Sequence, residues 1–165
     1  MSTETSASQQ IFVTVALNAW EQWVSRAGKV FESLSDEQMF TEIVPGKNRP
    51  IYLLGHLLVV NDALIAQLRL GEPDHSNLRD TFITQPDRAV AELPPIAELR
   101  EAWKTTHARL TSLFQQLTPE QWLERHSTIS EEDFVKEPHR NRLALLASRT
   151  SHAAYHLGQL QLLKK

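Results

Sequence analysis

A chain of 165 residues has the length of one domain and can bury a core without disulfides or structural metals to staple it. Hydrophobic residues make up 41% and charged residues 22%, with a formal net charge of -3. That balance is ordinary for a globular protein and supplies no basic stripe for a polyanion, so nucleic acid is not an expected partner. The chain has no cysteine, which excludes disulfides, thiolate-ligated zinc and a cysteine nucleophile together.

The first residues, MSTETSAS, are polar and carry no apolar stretch of the kind a signal peptide needs. Residues 1–8 read as a disordered tail and 9–165 as a single domain. No apolar run reads as long enough to span a bilayer. The expected location is the cytoplasm, with no membrane partner.

Helical periodicity dominates from there. Phe12, Ala16, Ala19, Trp23, Ala27, Val30 and Leu34 step by three or four residues and line one face of a first helix, expected over 9–34. The sequence PGKNRP breaks the chain, and a second helix is expected over 48–70, stopped by Gly71 and Pro73. A third, over 95–117, places Ile96, Leu99, Trp103, Leu110, Phe114 and Leu117 on one stripe. A fourth starts near Pro138 and runs to about 164, where the closing lysines suit the negative end of the helix dipole. No stretch of alternating β-branched residues bounded by a hairpin turn occurs. The fold class is all-α, a four-helix bundle.

Two features organise the order of these helices. LSDEQMF after the first helix returns as LTPEQWL after the third. Each reads as a short turn capped by Ser35 or Thr118 with a Glu or Gln at the reciprocal position. Between the second and third helices, residues 71–94 are far longer than an antiparallel helical hairpin needs. A crossover running the length of the bundle explains them and makes those two helices parallel.

Of seven histidines, His152 and His156 alone are spaced i, i+4. At about 100° per residue, Leu145, His152, His156, Gln159 and Leu163 share one narrow stripe of the last helix. Two imidazoles and a carboxamide on a core-facing stripe need partners, because an unsatisfied buried polar group costs about 1–3 kcal/mol. Imidazoles one turn apart satisfy each other poorly, and a cation between them resolves the conflict. His56 lies on a largely apolar stripe of the second helix, with Tyr52, Val60, Ala63 and Gln67. Taken alone it reads as a core histidine; beside a core-facing HxxxH it becomes the candidate third ligand. Three histidines leave open positions on the ion, the layout of a catalytic rather than a structural site. His107 lies at the edge of the third helix's stripe and is a candidate for a place behind the ligands. His75, His126 and His139 fall in linkers and are expected to be exposed. There is no helical ExxH for a di-iron centre, no GxSxG, no glycine-rich phosphate loop and no HExxH.

The early histidine of the second helix (GHLLVVND), the long crossover and the final HAAYHLGQ together resemble the DinB-like, or YfiT-like, metal-binding four-helix bundle family, from about Ile11 to Lys165. The resemblance implies an up-down-down-up order and a divalent metal, zinc or nickel, on His56, His152 and His156. It also implies a helix-packing role for Gly158 and a place behind the ligands for Gln159. It further implies a small-molecule substrate. The expected activity is a small-thiol-dependent S-transferase using bacillithiol, mycothiol or glutathione. A metal-dependent hydrolase and a non-catalytic metal- or small-molecule-binding module are the alternatives. Tyr52, one turn before His56, is the only candidate acid or base beyond the metal site. The second helix is apolar nearly all round, with Ile51, Leu54, Leu58 and Ile65 opposite His56, and a homodimer is expected to cover it, the crossover segment being the other source of cover.

Overall fold

A computed structural model describes residues 2–163, with side chains from Ala7 onward. The elements are α1 (Ser2–Ser33), α2 (Asp36–Phe40), α3 (Pro50–Asp62), α4 (Leu64–Gln67), α5 (Ile96–Gln115), α6 (Pro119–Trp122), α7 (Glu131–Lys136) and α8 (Arg142–Leu160). No strand occurs among the described residues; the nearest approach is one antiparallel bridge between Arg125 and Asn141.

The long helices run up, down, down, up. The C-terminal end of α1 meets the N-terminal part of α5, where Arg100 donates to the carbonyls of Phe31 and Leu34. Further along, Trp20 packs against His107 and Phe114, so α1 and α5 are antiparallel. Asn61 of α3 reaches His107, past the middle of α5, and α3 and α5 run parallel. Parallel neighbours require a chain that travels back along the bundle, and residues 68–95 do so.

That crossover is built rather than loose. It carries a 3-10 turn at Ser76–Leu78 and a π-helical turn at Asp80–Thr84. At its start Asp62, 1% exposed, accepts the backbone N–H groups of Asp74 and His75. At its end Asp87 holds both the backbone N–H and the guanidinium of Arg49, at 2.8 and 2.6 Å. Phe82, fully buried, anchors the middle against α3.

Ile51, Leu54, Leu58 and Ile65 are all fully buried within one chain. The cover sought from a dimer partner is supplied by the crossover and the neighbouring helices. The segment Pro50–Gln67 also has the length and mean hydropathy of a membrane span, contrary to expectation, but 72% of it is buried inside the bundle.

Helix boundaries differ where capping overrides periodicity. Of the expected tail at residues 1–8, Met1 lies outside the described residues and the rest is helical from Ser2, where Ala7, Gln9 and Gln10 are tolerant helix formers. The last helix begins at Arg142 rather than near Pro138, because Asn141 accepts the N–H of Ala144 as its cap. Ser130 caps a separate short helix, α7. The second helix tightens at Ala63 and closes at Leu68, before Gly71. There the N–H of Leu70 bonds the carbonyl of Ile65 and that of Arg69 bonds Ala66, a closure that wants glycine in the left-handed position. Arg69 occupies it at φ 60°. The two repeated motifs are matched reciprocal caps, Ser35 with Gln38 and Thr118 with Gln121. Each drives its next residue, Met39 or Trp122, fully into the core.

Candidate metal centre

His56, in the second turn of α3, and His152 and His156, in the C-terminal half of α8, meet between the two helices. One ring nitrogen from each lies within 4.8 Å of the others, a group able to hold a metal ion. The Nε2 of His152 sits 3.2 Å from that of His56 and 2.9 Å from that of His156.

The far side of two rings is fixed. His56 Nδ1–H donates to the carbonyl of Phe82 at 2.9 Å, and a carbonyl can only accept. His156 Nδ1–H donates to Gln159 Oε1 at 2.7 Å. Both rings therefore carry their proton away from the cluster and turn an Nε2 lone pair into it. His152 cannot satisfy both. If its proton is on Nε2 it serves one neighbour, and if on Nδ1 three lone pairs face one another. Its Nδ1 is buried with no partner among the described residues.

A cation at the centre removes the conflict. The 3.2 and 2.9 Å spacings lie near the roughly 3.3 Å nitrogen–nitrogen edge of a tetrahedron with metal bonds of about 2.0 Å. Burial keeps the His152 and His156 rings ready to ligate by disfavouring their charged forms. His152 is pushed down to about 4, chiefly by desolvation, with His156, His56 and Arg149 adding repulsion. His156 is lowered by burial and by His56, against a raising effect of Gln159.

Gln159 also donates to the Tyr155 hydroxyl at 3.2 Å, which fixes the carboxamide that orients His156, the arrangement that tunes metal ligands. Its other side faces a cavity of 390 Å³ lined by Ile43, Val44, Gly46, Lys47, Asn48 and Leu162. A wider groove of 630 Å³ between α1 and α5 contains none of the three histidines.

The structure redistributes the other candidates. His107 does not stand behind the ligands. Its Nδ1–H donates to the Trp103 carbonyl at 2.6 Å and its Nε2 accepts from Asn61 at 3.0 Å. Both nitrogens are thereby spent, and burial pushes the ring down to about 4. Tyr52 stacks near His56, with ring centroids 6.2 Å apart. Its hydroxyl donates to the carbonyl of Gln85 at 2.7 Å, and burial followed by Asp87 raises its pKa. Tyr52 braces the crossover and offers no free acid or base. A Cβ on Gly158 would meet nothing within 4 Å, so close packing is not its role. That role belongs to Gly55, where a Cβ would fall 2.3 Å from the Phe82 ring. His139 is exposed, His75 half-buried, and His126 is buried at 8% exposure rather than exposed.

Periodicity missed Gly55 and the Phe82 carbonyl. A glycine in the middle of an apolar helix, GHLL, was the available sign of close approach; a backbone carbonyl in a crossover leaves none.

An all-α bundle whose second and last long helices, α3 and α8, bring three imidazoles together is the class that this fold and site define. The sequence model of the DinB superfamily matches residues 19–160, and the chain belongs to that superfamily. A comparison with curated proteins finds no match.

Proposed function

We propose that the protein is a divalent-metal enzyme, with zinc or nickel on His56, His152 and His156, acting as a small-thiol-dependent S-transferase. The observation that carries the metal is the irreconcilable lone-pair arrangement at His152, buried and fixed on two sides. The choice of a thiol rests on the superfamily resemblance and on a chain with no sulfur nucleophile of its own.

A bound divalent ion supplies Lewis acidity and lowers the pKa of a thiol at its open position. The chain supplies the rest. Phe82 and Gln159 hold two rings in one tautomer and orientation. In the reaction the thiol sulfur forms a bond to an electrophilic carbon. The leaving group departs with its electron pair and the thiol proton passes to solvent. The site reads as cytoplasmic, where small thiols are held reduced.

The test is thiol consumption by metal-loaded protein given glutathione, bacillithiol or mycothiol with a generic electrophile. Loss of thiol that vanishes in His156→Ala supports the transferase. No loss, with metal-dependent ester or amide cleavage, makes the protein a hydrolase. Silence in both assays makes it a metal-binding module.

A homodimer remains part of the proposal, moved from α3 to α1, where Ile11, Phe12 and Val15 are 63–69% exposed on one face. Light scattering of the wild type against Phe12→Glu tests it; one mass for both proteins, that of a monomer, contradicts it.

A further inference from the structure

The helical turn on the N-terminal side of the triad contains a second constellation made of donors. Backbone bonds bring three segments together there. Ser127 N–H donates to the carbonyl of Gln67 at 2.8 Å, joining the 124–129 segment to the end of α4. Arg125 pairs with Asn141, and Arg142 N–H donates to Glu124, joining the same segment to the start of α8. His126 lies at this junction, 8% exposed.

His126 Nδ1 accepts the backbone N–H of Thr128 at 3.3 Å and faces the Thr128 hydroxyl at 2.8 Å. The ring proton is therefore on Nε2, which has no hydrogen-bond partner among the described residues. Burial, and then the charges of Arg140, Arg125, Arg149 and Arg69, disfavour a charged His126. Among the described residues, only Arg140 of these four has a carboxylate partner, that of Glu137. Arg125 donates to the carbonyl of Ile129. Arg149 Nε is buried with no partner. Arg69 sits in the left-handed position that the helix closure would give to glycine.

We propose that this junction binds an oxyanion, a carboxylate or phosphate group, held by the Nε2–H of His126 and the guanidinium groups of Arg149, Arg125 and Arg69. Planar guanidinium forks and a neutral imidazole donor match such a group. Arg149 precedes His152 by one helical turn, about 4.5 Å of rise. An anionic group held here therefore leaves the other end of a short molecule at the triad. That substrate role rests on the function proposed above; the anion site does not.

Calorimetric titration of inorganic phosphate, with acetate in parallel, into metal-free and metal-loaded protein tests the proposal. One saturable anion per chain is expected, weakened about ten-fold in Arg149→Gln and in Arg125→Gln. Arg149→Lys should keep part of the affinity. Arg69→Gly is the sharper variant: it should melt at a higher temperature, because glycine relieves the left-handed backbone, yet bind the anion less well. His152→Ala should lose metal and keep the anion, so failure of the metal reading leaves this test intact. The metal-loaded wild type should also prefer 3-mercaptopropionate to 2-mercaptoethanol, and Arg149→Gln should not. Failure of both anions to saturate, or equal affinity in the wild type and the arginine variants, overturns the site.

Discussion

His107 and the triad are two answers to the same problem, an imidazole inside a helical bundle. His107 spends both nitrogens on protein partners, the Trp103 carbonyl and the Asn61 amide, while its ring packs on Trp103 at 4.1 Å between centroids. The triad spends the far nitrogens of His56 and His156 in the same way. It then aims three near nitrogens at one another with at most one proton among them. Burial alone does not separate a site from a core, since both groups are shielded. The separation is in the count of donors and acceptors.

That contrast predicts opposite losses. His107→Ala should destabilise the fold by about 3 kcal/mol, by opening a void beside Trp103 and orphaning the fully buried Asn61 amide. Its metal content should be unchanged. Chemical denaturation with metal analysis of the same samples checks this, and a His107→Ala protein that melts normally but loses metal would reverse the two roles.

The same burial sets a pH dependence. The folded pKa of His107 lies near 4, below an ordinary 6.5, so the unfolded chain takes up the proton first. The stabilisation is complete above about 6.5 and is lost as pH falls towards 4, up to about 3 kcal/mol. Denaturation midpoints of metal-free protein across that range should fall less in His107→Gln than in the wild type.

Two glycines sharpen the comparison at the backbone. Gly55→Ala drives a Cβ into the buried Phe82 ring, whose residue also supplies the carbonyl that orients His56. It should cost about 2 kcal/mol and weaken metal binding. Gly158→Ala should instead gain up to about 1 kcal/mol of helix stability, with metal binding intact. Thermal melts of both separate packing from motif.

Gln159→Ala frees the His156 ring without removing a ligand. Metal affinity should fall about 10–100-fold in competition with a chelating dye, while the fold holds. An unchanged affinity would show that the amide does not orient the ring.

Much of this was legible in the sequence, and the reason is local. His152, His156 and Gln159 share one stripe because an α-helix returns every three to four residues, and His56 stood out as polar on an apolar face. The 71–94 linker was long enough to imply parallel central helices. What eluded the sequence depends on contacts between distant segments. The burial of His126 follows from bonds to Gln67 and from the Arg125–Asn141 bridge. The His56 partner is a backbone carbonyl, which no side chain marks. Helix ends shifted wherever a cap such as Asn141, or the strained Arg69, overrode periodicity. The apolar second helix left a partner subunit and the crossover as rival sources of cover, and only contacts between distant segments show that the crossover covers it.

The central claim is that three imidazoles with too few protons require an ion. Metal content of purified wild-type protein, measured by elemental analysis beside His56→Ala, His152→Ala, His156→Ala and His107→Gln, tests it most directly. The account predicts about one divalent ion per chain in the wild type and in His107→Gln, and none retained in the three alanine variants. Equal metal in the wild type and His152→Ala, or none in the wild type after saturation with zinc or nickel, would contradict it.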